Sequence, residues 1–114
     1  MSGREVALIT GASLGIGREL AKEFAADGHD VVLVARSEDK LRDLARELEA
    51  AHGVAAHVLP ADLSDPDAPV QIFSTLQAQG LELDYLVNNA GFGANGPFAE
   101  LPYQPQLDMI QVNV

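Results

Sequence analysis

The stretch Thr10-Gly11-Ala12-Ser13-Leu14-Gly15-Ile16-Gly17 lies directly behind the apolar run Val6-Ala7-Leu8-Ile9. A strand, a glycine-rich turn and a helix in that order let one backbone present several free N–H groups to a pyrophosphate. Gly11 permits the sharp turn out of the strand. Gly15 leaves no side chain where phosphates must approach, and Gly17 allows the helix to pack tightly on the sheet. The spacing is T-G-x-x-x-G-x-G rather than the general G-x-G-x-x-G. Thr10 is expected to brace the turn through its hydroxyl. Ser13, Leu14, Gly15 and Ile16 are expected to surround the phosphates, mainly through backbone N–H groups.

Downstream, strand and helix signals alternate, which predicts βαβ units and a parallel sheet. The first strand is expected over 5–10. The helix over 16–27 follows, with Ile16, Leu20 and Phe24 as its buried stripe and Ala21 and Ala25 beside them. Val31-Val32-Leu33-Val34-Ala35 is apolar on both faces, as a central parallel strand is. Ser37 is expected to cap the next helix, with Glu38 and Asp39 in its first turn and Leu41, Leu44, Ala45 and Leu48 inside. Gly28 and Gly53 read as helix stops. A third strand is expected over 55–59. Ser64-Asp65-Pro66 reads as the start of a helix that buries Val70, Phe73 and Leu76 and closes at Gly80. The fourth strand is Tyr85-Leu86-Val87-Asn88, leading into the turn-rich loop 91–97. Leu107, Ile110 and Val114 then read as the start of another amphipathic helix, within which the chain is expected to be cut. The expected strand order is 3-2-1-4, about half of a doubly wound sheet. A fourth strand left bare at that edge is expected to promote self-association.

The glycine turn together with Asn88-Asn89-Ala90-Gly91 resembles the short-chain dehydrogenase/reductase family, and the resemblance covers essentially the whole chain. It implies an α/β, Rossmann-type parallel sheet with helices on both faces. Residues 1–114 would form one NAD(P)-binding domain, incomplete at its C-terminus. The implied reaction is hydride transfer between a nicotinamide and a carbonyl or secondary alcohol. In the family, an Asp at the place of Asp62 hydrogen-bonds the adenine amino group, and the backbone at Leu63 contacts the ring; capping the following helix is the rival role. The Asn89-Ala90-Gly91 backbone would run past the cofactor ribose, with part of its role architectural. Asn113 resembles the helix asparagine of the family's Asn-Ser-Tyr-Lys tetrad, which holds a water leading to the catalytic lysine.

Arg36 bears on the choice of cofactor. In sheets of this type that bind NAD, an acidic residue near the end of the second strand accepts from the ribose 2′-OH. Here the segment reads Val34-Ala35-Arg36-Ser37. A guanidinium can hold a 2′-phosphate in a bidentate, charge-assisted pair, which predicts NADP(H) over NAD(H). Ser13 and Ser37 can add hydroxyl donors, and Lys40 is a weaker candidate. The competing reading pairs Arg36 with Glu38 or Asp39.

This chain departs from the family at the chemistry. Tyr85 and Tyr103 are followed four residues later by Asn89 and Leu107, so the Tyr-x-x-x-Lys pair and its preceding Ser have no counterpart here. Two readings follow: the cofactor-binding half of an oxidoreductase, or a stand-alone nucleotide-binding module without catalysis. A net charge of −10 argues against nucleic acid or an anionic membrane as partner. The absence of cysteine excludes thiolate metal sites, and His29, His52 and His57 show no metal-ligand spacing, so no metal is expected. No signal-peptide pattern opens the chain, which makes a cytoplasmic location the expectation.

Overall fold

The computed structural model describes residues 5–13, 15–62, 64–88 and 110–113, with Asn88 and 110–113 described through the backbone alone. The elements run β1 (Val6–Thr10), α1 (Gly15–Ala26), β2 (Asp30–Ala35), α2 (Glu38–His52), β3 (Ala56–Pro60), α3 (Ala68–Ala78), β4 (Tyr85–Asn88) and β5 (Ile110–Asn113). All strand pairs are parallel and the sheet order is β3-β2-β1-β4-β5. Every residue of β1 and β2 is buried, as their apolar runs Val6–Ile9 and Val31–Ala35 require, with Asp30 and Thr10 as the polar ends.

The strand period of two divides these residues between two cores. Ala7, Ile9, Val31, Leu33 and Val87 pack with α1 and α2 on one face. Val6, Leu8, Val32, Val34 and Leu86 pack with α3 on the other. Each fully buried Leu or Ile contributes about 1.5–3 kcal/mol of transfer free energy. The chain winds outward from β1 to β3 and then returns to β4 on the far side of β1. That reversal moves α3 to the opposite face and creates the switch point between β1 and β4.

Four expectations are corrected. Gly17, Ala21 and Ala25 form the buried stripe of α1, while Leu20 and Phe24 flank it half-buried and Ile16 is 60% exposed. Small side chains let the helix approach the sheet closely, so the larger ones are displaced to its sides. In α3 the stripe is Pro69, Ile72, Phe73 and Leu76, and Val70 is 54% exposed. Successive three-residue steps fall short of full turns, so Val70 drifts off the face that Phe73 and Leu76 share. That helix begins after Asp67 with Pro69 in its first turn, not at Ser64. Ser37 stands at the N-cap of α2 without a side-chain capping hydrogen bond, although Glu38 and Asp39 do occupy the first turn.

A further correction, the fifth, concerns the end of the chain. Residues 110–113 form β5, paired in register from Tyr85↔Ile110 to Asn88↔Asn113, and not the start of a helix. Ile110-Gln111-Val112-Asn113 alternates apolar and polar residues and carries two β-branched side chains, a pattern that suits a ladder. The outer edge of β4 is therefore paired, and β5 takes its place at that side of the sheet. Among the described residues no helix is long and apolar enough to cross a membrane.

The amino edge of the sheet is tied by carboxylates and rings. Val6 N–H donates to Asp84 Oδ2 at 2.8 Å, and Ala55 N–H donates to Asp30 Oδ1 at 2.9 Å. Phe24, His29 and Tyr85 pack with ring centroids 5.3–5.7 Å apart. The Tyr85 hydroxyl donates to Glu5 Oε1 at 3.3 Å, and the negative charge of Glu5 pushes the Tyr85 phenol above its usual range.

Two outcomes follow from this packing. Ala21→Leu should overfill the α1–sheet contact and lower stability by about 1–3 kcal/mol, whereas Ile16→Ala should stay within about 0.5 kcal/mol, both read by urea denaturation. A raised folded pKa favours neutral Tyr85, so its contribution is present below the unfolded value and is lost as pH rises through the folded one. Ultraviolet titration in a Tyr103→Phe background should show the Tyr85 midpoint falling in Glu5→Gln.

Candidate functional site

The carboxyl ends of β1 to β4 lie along one edge of the sheet, and the glycine turn rises from its centre. Two bonds seat the segments leaving that edge. Ala12 N–H donates to the Val34 carbonyl at 3.2 Å, and Ala61 N–H donates to the Ala35 carbonyl at 2.9 Å. Thr10 is fully buried and its hydroxyl donates across to the Val87 carbonyl of β4 at 3.3 Å. Its brace thus spans the switch point between β1 and β4, immediately below the turn.

Gly11 and Gly15 have φ of 63° and 58°, the left-handed region that L side chains rarely adopt. A Cβ on Gly15 would meet no atom within 4 Å. Conformation requires glycine there, and the space beside it is open. Gly17 is buried against the sheet, Ser13 is half-buried, and Ile16 is exposed beside the turn.

The two helix starts near this edge differ in charge. The first turn of α2 carries Glu38 and Asp39, which compensate its own dipole, whereas the first turn of α1 has no acidic residue. No acidic side chain of its own first turn therefore offsets the positive end of the α1 dipole.

Arg36 is the first residue beyond β2 and is exposed. Glu38, its expected rival partner, is held instead by Arg42, whose Nε donates to Oε2 at 2.8 Å and whose Nη2 donates to the same oxygen. Among the described residues Arg36 forms no ion pair, so the reading that ties it to Glu38 or Asp39 is not realised.

Asp62 follows β3 by two residues. Its Oδ1 accepts from the Ser64 hydroxyl at 2.6 Å and from the Ser64 N–H at 2.9 Å. Those hydrogen bonds, aided by the positive charge of Arg36, hold the Asp62 carboxyl below the usual carboxylate range. Asp67, not Asp62, occupies the N-cap of α3, so the rival capping role falls away. Sequence reasoning assigned Ser64 to a helix start and missed this contact. The Asp-x-Ser spacing, a common local side-chain-to-backbone turn, was the signal available.

Gly11, Ser13, Gly15, Gly17, Arg36 and Asp62 are thus gathered at one edge. Leu14, Leu63, Asn89, Ala90 and Gly91 lie outside the described residues, as does Tyr103. Asn113 was expected on a helix; its backbone lies in β5 opposite Asn88, because residues 110–113 pair with β4. Tyr85 begins β4 at the amino edge, the end of the sheet opposite the glycine turn.

The sequence profile described as short chain dehydrogenase matches residues 5–114. A 7beta-hydroxysteroid dehydrogenase of Collinsella aerofaciens is 36% identical over 110 residues, which are 96% of this chain and 41% of that enzyme. The structure of a short-chain dehydrogenase from Sphingobium yanoikuyae in complex with NADPH is similar, with 44% identity and a TM-score of 0.69, across 76% of this chain and 34% of that one. L-sorbose reductase from Gluconobacter frateurii, complexed with NADPH and L-sorbose, superposes with a TM-score of 0.74 at 38% identity, over 82% of this chain and 35% of its own. The chain therefore spans about a third to two fifths of the length of these relatives. With the glycine turn, the parallel order around β1 and a profile match from Glu5 to the last residue, this chain belongs to the short-chain dehydrogenase family.

Proposed function

We propose that the chain is the dinucleotide-binding part of an NADP(H)-dependent oxidoreductase acting on a carbonyl or secondary alcohol. The observation that carries this reading is Arg36, which follows Ala35 at the place where NAD-binding sheets carry an acid and forms no ion pair among the described residues. The donor set fits the cofactor. Open space beside Gly15 and the uncompensated start of α1 suit a pyrophosphate. The Arg36 guanidinium suits a 2′-phosphate bidentately, with Ser37 next to it in sequence and Ser13 on the glycine turn as hydroxyl donors. Ionised Asp62 offers an acceptor to the adenine amino group. Leu14, Leu63 and Asn89-Ala90-Gly91 complete the proposed backbone contacts.

When bound, the dinucleotide supplies or accepts the hydride. The residues described here bind and orient it. Proton transfer at the substrate oxygen belongs to groups other than Tyr85, which sits at the amino edge against Glu5. The relatives complexed with NADPH support the choice of cofactor class, and L-sorbose reductase supports a carbonyl-bearing substrate.

Calorimetric titration of the chain with NADP⁺ and NAD⁺ in parallel tests the reading. Tighter binding of NADP⁺ is expected; no saturable binding of either would overturn it. Arg36→Asp should weaken NADP⁺ by about tenfold or more, about 1.4 kcal/mol per tenfold, while NAD⁺ changes far less. Equal losses would remove Arg36 from its role. Gly15→Val should abolish binding of both, because it fills the phosphate approach and strains a left-handed backbone.

A further inference from the structure

Two opposite charges leave adjacent strands at the carboxyl edge, Arg36 level with Ala61 and Asp62 one residue further out. Ala35 and Pro60 are register partners, and the Ala61 N–H bond to Ala35 extends the β2–β3 pairing one step beyond them. Arg36 and Asp62 are the next residues outward on their two segments. The charge of Arg36 is felt at Asp62, yet the two form no ion pair among the described residues. Both are exposed and both side chains can turn, so a closed pair is the arrangement to expect unless something holds one of them.

Ser64 is what holds Asp62. Both of its donors converge on the same oxygen, the hydroxyl at 2.6 Å and the backbone N–H at 2.9 Å on Oδ1. A fork-to-fork pair with Arg36 would need both carboxylate oxygens turned toward the guanidinium. Of the two acids that follow Arg36 in the chain, Glu38 is held by Arg42, and Asp39 forms no ion pair with Arg36 among the described residues. Asp65 does not compete for Ser64, because its Oδ1 accepts the Asp67 N–H at 2.9 Å.

We propose that Ser64 is a positioning residue for the cofactor: by gripping Oδ1 of Asp62 it keeps that carboxylate off Arg36. The second oxygen of Asp62 then stays available to an amino group on the nucleobase, and the Arg36 guanidinium to a 2′-phosphate. The inference rests on the function proposed above and adds to it the residue that keeps the two charges apart. Without the Ser64 hydroxyl only the backbone N–H still holds Oδ1, the carboxylate is freer to turn to Arg36, and a 2′-phosphate then competes with that pair.

Calorimetric titration of the chain with NADP⁺ and NAD⁺, for wild type, Ser64→Ala, Ser64→Thr and the double variant Ser64→Ala/Asp62→Asn, tests this. Ser64→Ala should lower the ratio of NADP⁺ to NAD⁺ affinity by about two- to fivefold, the span of an exposed ion pair. Ser64→Thr keeps the hydroxyl and should retain the wild-type ratio. Adding Asp62→Asn to Ser64→Ala should restore the ratio, because the neutral amide no longer captures Arg36. Ser64→Gly replaces the alanine variant should the latter fail to fold. Equal weakening of both cofactors by Ser64→Ala, or no recovery in the double variant, would mean that Ser64 only shapes the turn and would overturn the proposal. Absence of binding by the wild type would overturn the underlying reading as well, which distinguishes the two failures.

Discussion

The burial of β1 on both faces and along both edges is the constraint on which the other features depend. Val6 to Thr10 lie between β2 and β4, with α1 and α2 on one side and α3 on the other. A strand so enclosed has no freedom to slip, since a one-residue shift would exchange its two apolar sets. The glycine turn inherits that rigidity. Its first bond outward, from Ala12 to Val34, and the Thr10 hydroxyl bond to Val87 anchor it to the strands on either side. A phosphate site made mainly of backbone N–H groups depends on such anchoring, because no side-chain flexibility can correct a misplaced amide.

Electrostatics at the carboxyl edge work locally against the charge of the whole chain. With a net charge of −10, the protein offers a dinucleotide no attractive long-range field. In the proposed site attraction is arranged at short range instead, by a helix start without acidic residues and by an arginine that forms no ion pair among the described residues. Restraint of Glu38 by Arg42 and of Asp62 by Ser64 matters as much as the presence of Arg36 itself.

Much of this was legible from the residues. The uniformly apolar Val31–Ala35 announced a central parallel strand, and Thr10–Gly17 announced the turn between β1 and α1, in which Gly11 and Gly15 are left-handed. Boundaries and faces were harder. Ile16 and Val70 are as hydrophobic as their buried neighbours, so periodicity alone could not tell which side of the helix would meet the sheet. The close approach of Gly17, Ala21 and Ala25 depends on tertiary packing. Residues 110–113 were misread because four residues satisfy a helical and a strand pattern equally, and only pairing with β4 decides between them. The grip of Ser64 on Asp62 was hidden by a second plausible use of the same Ser-Asp-Pro segment.

The bond between Thr10 and Val87 joins residues 77 positions apart in the chain. During synthesis β1, β2 and β3 emerge in turn and can pair at once, while one edge of β1 waits for β4. The floor of the phosphate turn therefore closes late, after a long loop has been ordered, and the entropy of that closure falls on the step that completes the site. Until then β1 carries an edge of unpaired backbone N–H and C=O groups beside apolar side chains, which makes the interval before β4 arrives the period in which a nascent chain is most open to wrong partners.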